Sequence, residues 1–306
     1  MKTLFLFTVL SLSLWSLEAI PPLPQSVSYN AKKAAVGKEL FFDTALSKDY
    51  SVACVTCHNI YDGGADRRVV STGFAGKKGN IQSPTVLNAV FNFRQFWNGR
   101  AKNLYEQAKG PLENPVEHNM TPKLVVERVS KNPRYREAFE SLYKEGITYE
   151  NVIDAIVEFE KTLITPNSKF DLFLKGKTKL TQKEMHGYTL FKRYGCISCH
   201  NGVNMGGNSF AKIGMFFSYP YKKEYPDRYA ITHDPLDKNV FKVPTLRNIA
   251  LTPPYFHDGS RATLQEAIKA MAHYNLGQEM PKEDIEAITD FLKTLTGELP
   301  RNLDAR

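Results

Sequence analysis

The chain has 306 residues, a length that allows two domains or one large one. Apolar residues make up 42% of the sequence, enough for hydrophobic cores, and the 24% of charged residues is ordinary for a soluble protein. The formal net charge is +8, but there is no arginine-rich run and no nucleic-acid-binding motif, so we predict no nucleic-acid partner. A basic surface either attracts an acidic partner or is simply solvated, and composition does not distinguish the two.

Residues 1–19 have the pattern of a secretory signal peptide. Lys2 supplies the positive charge, Leu4 to Leu14 form an apolar run, and Ala19 is a small residue at the expected cleavage point. The alternative is an uncleaved membrane anchor, but the run is shorter than the roughly 20 residues that span a bilayer. No later stretch is long and apolar enough to span. We therefore predict export, cleavage of the signal, and no membrane span afterwards.

Capping residues and the helical spacing of apolar residues predict five helices in the first half of the chain. Residues 20–29 form a proline-rich lead-in, and residues 59–84 are rich in glycine and predict an irregular loop. The helices are predicted over residues 30–41, 101–109, 121–131, 133–144 and 148–163. The break at residues 165–168 divides the chain into a predicted N-terminal domain, 20–165, and a C-terminal domain, 166–306.

Three further helices are predicted in the second half. Thr181 and Thr263 each open a capping box with a glutamate three residues later, and Pro281 begins the last helix. Residues 201–262 are long, rich in glycine and proline, and weakly periodic, which is unusual unless the segment wraps a large apolar cofactor. Almost no stretch alternates with period two. The predicted fold is therefore mainly α, with two cytochrome-c-like domains and long irregular loops.

Two Cys-x-x-Cys-His motifs use every cysteine of the chain: Cys54 and Cys57 with His58, and Cys196 and Cys199 with His200. This pattern indicates covalent attachment of a c-type haem, whose iron takes the histidine as axial ligand. Zinc is the alternative, but it requires four ligands and no second Cys/His cluster lies near either motif. We predict two c-type haems, one in each domain. Covalent haem attachment takes place outside the bacterial cytoplasm, which agrees with the signal and predicts a periplasmic protein.

The second axial ligand decides whether each haem carries electrons or binds a small molecule. Methionine opposite histidine raises the potential of a haem and suits electron transfer. Met271 lies on a capped helix 71 residues after His200, which is far enough for the chain to reach the other face of the porphyrin. Met205 is only five residues after His200, which is too short for the chain to do so. Taken alone, such a methionine is more often a packing residue than a ligand. The candidates are Met185, Met205, Met215, Met271 and Met280.

Several blocks, in order, resemble the bacterial di-haem cytochrome c peroxidase family, which includes the MauG enzymes. The resemblance covers most of the mature chain. Besides the two haem motifs, the blocks are residues 37–43 (GKELFFD), 83–88 (SPTVLN), 95–100 (QFWNGR), 106–111 (EQAKGP), 243–248 (VPTLRN) and 254–259 (PYFHDG).

The resemblance implies a role for each haem. The haem on His58 would be the low-potential peroxidatic site, and the haem on His200 and Met271 the high-potential electron-transfer site. Trp97 resembles the tryptophan that assists electron passage between them. Gln107 and Glu117 match the pair that orients peroxide and relays its proton. Read without the resemblance, all three are ordinary core or surface residues.

Two positions depart from the family pattern. Phe74 stands where many members have a histidine that caps the peroxidatic iron, so that haem is either open or capped by another group, for which His118 is the nearest candidate. At the family's calcium site, Thr252 and Pro254 match as carbonyl donors, while Gln82 replaces the usual asparagine. A longer amide is still an oxygen ligand of the kind calcium accepts.

We therefore expect a periplasmic peroxidase that reduces hydrogen peroxide with electrons from a small donor such as cytochrome c. Two alternatives stay open: a di-haem electron carrier without catalysis, and a MauG-like oxidase of a protein or organic substrate. MauG enzymes have a tyrosine as the axial ligand, so Met271 argues against the second alternative. The resemblance also suggests a homodimer.

Overall fold

The computed structural model describes residues 19–300 and is mainly helical, which confirms the predicted fold class. Of the predicted signal peptide, residues 1–18 lie outside the described residues. The first half contains α1 (Ala31–Phe42), α2 (Cys54–Cys57), α3 (Leu104–Glu113), α4 (Pro122–Ser130), α5 (Pro133–Leu142) and α6 (Tyr149–Lys161). The second half contains α7 (Lys169–Leu174), α8 (Gln182–Arg193), α9 (Tyr229–Thr232), α10 (Leu264–Leu276) and α11 (Lys282–Lys293). Two short antiparallel strands, β1 (Phe210–Lys212) and β2 (Val240–Lys242), pair with Ala211 opposite Phe241.

Side-chain caps begin four helices at the predicted residues. In each case a threonine hydroxyl accepts the backbone N–H of the third residue beyond it, which satisfies a donor that has no partner inside the helix. These caps are Thr121, Thr148, Thr181 and Thr263. Within residues 19–300, no helix combines the length and hydropathy needed to cross a membrane.

The helix predicted over residues 101–109 was misplaced at both ends. It begins at Leu104 because the Asn103 side chain caps it, accepting the backbone N–H of Glu106, while Ala101 instead pairs with Gln95 in an isolated β-bridge. It continues through Pro111 to Glu113. This extension matters because it brings Pro111 and Leu112 to the wall of a cleft.

The two halves repeat the same helix crossing. In the first half α1 packs on α6, and a Cβ added to Gly37 would lie 1.8 Å from the carbonyl oxygen of Ala155. In the second half α8 packs on α11, and a Cβ added to Gly187 would lie 1.9 Å from the carbonyl oxygen of Ala287. Only glycine allows so close an approach of two backbones. Each crossing belongs to a hydrophobic core of its own.

The halves meet at Thr165, which is 1% exposed. Its hydroxyl accepts a hydrogen bond of 2.8 Å from Asn88 and another of 2.8 Å from Asn248. Both asparagines adopt the left-handed conformation, and each follows a Pro-Thr pair by three residues. The junction is therefore a buried hydrogen-bonded centre, and the domain boundary predicted after Thr165 stays a prediction.

Candidate active site and haem clefts

Cys54, Cys57 and His58 lie together in the wall of a cleft in the first half. The cysteines are free and lie on the single turn of α2. His58 Nδ1 lies 3.2 Å from the carbonyl oxygen of Gly64, so Nδ1 donates a proton to it and Nε2 is left for a metal. Burial lowers the pKa of His58, which keeps the ring in the neutral form that binds iron.

A second cleft repeats this arrangement with Cys196, Cys199 and His200. Here His200 Nδ1 lies 3.4 Å from the carbonyl oxygen of Met205, and burial lowers the pKa of His200 to about 4. Met271, on α10, lines the same cleft. The structure therefore places the predicted proximal histidine and the predicted axial methionine around one space.

Two of the five candidate methionines line the second cleft, Met271 and Met280. Met205 is fully buried in the core and contributes its carbonyl group to His200 instead, and Met215 is 61% exposed. The structure thus reduces the candidates to two and leaves the choice of Met271 a prediction.

Helices α3 and α10 are counterparts in the two halves, and one of the positions at which they differ bears on iron binding. Each residue of α3 that lines the first cleft has a residue of α10, 160 positions later (271 − 111), that lines the second. At the position of Met271, α3 has Pro111, which has no atom that could bind iron. The pairs are Leu104 and Leu264, Gln107 and Ala267, Ala108 and Ile268, Pro111 and Met271, and Leu112 and Ala272.

Polar side chains gather beside Pro111 in the first cleft. Gln107, Glu117 and Arg100 all line it. Burial raises the pKa of Glu117, and two opposing effects lower it: a hydrogen bond from the Asn114 amide and the positive charge of Arg100. The Asn114 Nδ2 to Glu117 Oε1 distance is 2.5 Å. A carboxyl group whose pKa lies nearer neutrality than usual is suited to proton relay. Sequence reasoning missed Asn114 and Arg100.

The loop after the first haem motif packs on the segment that carries Glu117. The backbone N–H of Phe74 donates to the carbonyl oxygen of Glu117 over 2.7 Å, and a Cβ on Gly73 would lie 2.4 Å from the carbonyl oxygen of Val116. Phe74 itself is not part of the cleft wall, and its ring lies 5.3 Å from the ammonium group of Lys77. The loop thus approaches the cleft through its backbone.

His118, the other candidate for capping the iron, is buried and lines the first cleft. Its Nδ1 lies 2.8 Å from the carbonyl oxygen of Leu46, so one ring nitrogen is already hydrogen-bonded. Burial lowers the pKa of His118, so the ring is neutral. Only Nε2 is available to a metal, and its role as a ligand stays untested.

Trp97 lies where the two clefts meet and lines both of them. Its indole Nε1 donates to the carbonyl oxygen of Gln82 over 2.8 Å, and its ring stands edge-on to His257 with 6.1 Å between centroids. The backbone N–H of Gln82 in turn donates to the carbonyl oxygen of His257. His257 is also the counterpart of Trp97 in the second half, 160 positions later (257 − 97).

The three predicted calcium ligands, Gln82, Thr252 and Pro254, all line the second cleft. The Gln82 side chain is buried, with its Nε2 3.4 Å from the carbonyl oxygen of Asp66. In the part of the chain that the structure describes, no three His, Cys, Asp or Glu side chains form a metal-binding group. A cation here would therefore rely on amide and carbonyl oxygens.

Two buried charged residues in the cleft walls escaped sequence reasoning. Glu160 lines the first cleft with its Oε2 unpartnered, and burial raises its pKa to about 8. Its counterpart on α11, 132 positions later (292 − 160), is Leu292 in the second cleft. Lys242 lines the second cleft, and burial lowers its pKa to about 8. The available signal for Glu160 was its helical spacing, which puts it on the same helix face as the apolar residues Ile156, Phe159 and Leu163.

Both clefts fit a covalently attached haem. Each holds two thiols and a histidine with one nitrogen left for iron, in a wall that is largely apolar. Burial raises the pKa of Cys54 to about 12 and that of Cys196 to about 11, so both remain neutral thiols that can add across a vinyl group. The donor atoms are those of a c-type haem site.

A fold of two cytochrome-c-like halves, each with such a cleft, defines a di-haem c-type cytochrome. Comparison with known families gives the particular class: residues 31–179 match the di-haem cytochrome c peroxidase family and residues 185–296 match cytochrome c. The chain belongs to the bacterial di-haem cytochrome c peroxidase family and is an oxidoreductase with two c-type haems.

Individual relatives agree with this assignment. The chain is 46% identical to the cytochrome c551 peroxidase of Nitrosomonas europaea over 92% of its own length and 85% of that protein. It is 41% identical to the cytochrome c551 peroxidase of Pseudomonas aeruginosa, with the same coverage, and 31% identical to MauG of Methylorubrum extorquens, covering 90% of this chain and 82% of that protein. Among solved structures, a MauG-like protein associated with microbial copper homeostasis has a TM-score of 0.80 and 27% identity, covering 93% of this chain and 95% of its own.

Proposed function

We propose that the protein reduces hydrogen peroxide to water, H2O2 + 2 e⁻ + 2 H⁺ → 2 H2O, in the first cleft. The observation that carries this proposal is Pro111 at the position of Met271, beside the carboxyl group of Glu117. A haem bound in this cleft supplies an iron that can bind peroxide and pass electrons to it. The chain leaves that side of the cleft to polar groups instead of a methionine ligand.

Glu117 moves the proton that breaking the peroxide bond requires. One oxygen of the peroxide must lose a proton and the other must gain one, and a carboxylate can do both in turn. Asn114 holds Glu117 Oε1, which fixes the carboxyl group and leaves Oε2 for the proton. Gln107 is neutral, so its amide orients the peroxide without competing for the proton.

Electrons enter at the second cleft, where His200 and Met271 hold the high-potential haem. His200 and Met271 would hold the haem in this cleft, and a haem with these two protein ligands would carry electrons and leave no position for substrate. Trp97 lines both clefts and lies on the path between them. Its hydrogen bond to Gln82 and its contact with His257 keep the indole in place.

The electron donor is a small redox protein of the cytochrome c type, and the reaction takes place in the periplasm. The names of the Nitrosomonas and Pseudomonas relatives, both cytochrome c551 peroxidases, support the choice of donor. With a formal charge of +8, the protein would attract a donor whose surface is acidic more strongly than a basic one. A homodimer is the proposed assembly, and its mass in solution tests it.

A calcium ion bound by Gln82, Thr252 and Pro254 would stiffen the contact between the clefts. The support is their shared location and the hydrogen bond that the indole Nε1 of Trp97 donates to the carbonyl oxygen of Gln82. Chelation followed by calcium titration, monitored by isothermal calorimetry, tests this site. Heat of binding that persists unchanged in Gln82→Leu would contradict it.

Steady-state turnover separates the peroxidase from its alternatives. The holoenzyme mixed with reduced cytochrome c and hydrogen peroxide should oxidise two equivalents of donor for each peroxide consumed. No turnover at any oxidation state would show an electron carrier. A spectrum of the second haem typical of tyrosine ligation would instead favour a MauG-like oxidase.

A further inference from the structure

Tyr219 lies in an aromatic cluster in which His257 contacts both Tyr219 and Trp97. It is 5% exposed, and its ring centroid lies 6.0 Å from that of His257, which in turn lies 6.1 Å from that of Trp97. Burial lowers the pKa of His257 to about 4, so the ring between them is uncharged. Tyr219 lines neither cleft and has no part in the mechanism proposed above.

The hydroxyl group of Tyr219 has a proton acceptor in place. It donates to Asp258 Oδ2 over 2.9 Å and lies 2.7 Å from Ser260 Oγ, which can donate to it. Asp258 Oδ1 accepts the backbone N–H of Ser260 over 3.0 Å, which holds the carboxylate in position. Burial raises the pKa of Tyr219, so the ground state is a phenol. A phenol that loses an electron becomes a strong acid, and its proton can then pass along this hydrogen bond.

Other buried tyrosines also donate to carboxylates, but they lie apart from Trp97. Tyr135, for example, donates to Asp43 over 2.8 Å and has no aromatic contact among residues 19–300. Tyr219 combines the carboxylate acceptor with rings in contact leading to Trp97. Two more buried tyrosines in the first half donate to a carboxylate, as Tyr135 does: Tyr143 donates to Asp154, and Tyr149 donates to Glu113.

We infer that Tyr219 is an internal one-electron donor that serves when the external donor is absent. The inference rests on the proposed peroxidase function, which supplies the oxidant. Peroxide reduction takes two electrons from the enzyme. Tyr219 replaces one of these two electrons by passing an electron through His257 and Trp97 to the first cleft. Its O–H bond breaks, the proton passes to Asp258 Oδ2, and a neutral tyrosyl radical remains. An electron from the donor and the proton on Asp258 later restore the phenol.

The test uses the fully oxidised holoenzyme and one equivalent of hydrogen peroxide without donor. Freeze-quenched samples are examined by EPR, with ring-deuterated tyrosine to identify a tyrosyl signal. We expect the signal in the wild type and its loss in Tyr219→Phe. The matched control Tyr135→Phe also removes a buried hydroxyl bound to an aspartate, and should keep it. Asp258→Asn, which removes the proton acceptor, should reduce the signal while Tyr219 is intact.

The outcomes separate this inference from the proposed function because donor-driven turnover is measured on the same preparations. Turnover in the wild type without a tyrosyl signal would overturn the inference alone, as would a signal that survives in Tyr219→Phe. Equal loss of signal in Tyr135→Phe would overturn it too. An absence of turnover in the wild type would overturn the proposed function and this inference with it.

Discussion

Pro111 occupies in α3 the position that Met271 occupies in α10. Both residues line a cleft, and each comes seven residues after the leucine that begins its helix. A thioether can bind iron, whereas a proline ring cannot. The two halves therefore build matching cleft walls, and at this pair of positions only the second half offers a side chain that could bind iron.

Replacing Met271 with leucine should lower the midpoint potential of one haem by a few tenths of a volt, since axial ligands set potentials over about 0.8 V. Spectroelectrochemical titration of the holoenzyme measures the change. Met280→Leu is the matched control because Met280 lines the same cleft. An equal shift in Met280→Leu, or none in Met271→Leu, would show that the ligand was assigned wrongly.

Replacing Glu117 with glutamine should reduce kcat/KM for peroxide by roughly 10²- to 10⁴-fold, the usual contribution of a positioned acid–base group. Glu137→Gln, a change at an exposed residue that does not line the cleft, should leave kcat/KM unchanged. Peroxide-dependent oxidation of reduced cytochrome c measures both. Similar activity in Glu117→Gln and the wild type would exclude this residue as the proton relay.

The pH profile of the same reaction should follow Glu117. Burial raises its pKa, and the relay begins from the carboxylate, so kcat/KM should fall as the pH drops through a value above the ordinary pKa of about 4.3. This acid limb should disappear in Glu117→Gln. A limb that persists in the variant would belong to another group.

The enzyme should bind and reduce peroxide as isolated, without prior reduction. Phe74 cannot bind iron, and its side chain lies outside the cleft wall. EPR of the fully oxidised protein should therefore show a high-spin haem. Low-spin signals from both haems would contradict this, and His118→Leu would then show whether His118 is the ligand, because His118 is the other capping candidate and lines the cleft.

Replacing Gly187 with alanine should destabilise the second half by about 1–3 kcal/mol, the usual cost of forcing a group into a packed core. The new Cβ would lie 1.9 Å from the carbonyl oxygen of Ala287, so α8 and α11 must separate. Denaturant unfolding measures the change. Gly79→Ala is the control, since its Cβ would come no closer than 3.7 Å to Ser71. An equal loss of unfolding free energy in both variants would mean that the close crossing of α8 and α11 does not cause the destabilisation.

The local features of this protein were predictable from sequence. Thr121, Thr148, Thr181 and Thr263 cap their helices as expected because a cap is a contact between residues three positions apart. The haem motifs are equally local, since two cysteines and a histidine within five residues share one short turn. The start of α3 was predicted wrongly because Asn103 caps the helix while Ala101 pairs with Gln95. The spacing of apolar residues reveals neither contact.

Only the tertiary structure decided which residues share a cleft. Pro111 and Met271 are far apart in sequence, and their equivalence depends on the placement of α3 and α10 in the two halves. The same holds for Glu160, whose raised pKa is a property of its burial and not of its neighbours along the chain. The sequence by itself determined the two haem attachments and the helical class. Folding decided which residues line each cleft, because burial and contact between distant segments exist only once the chain has packed.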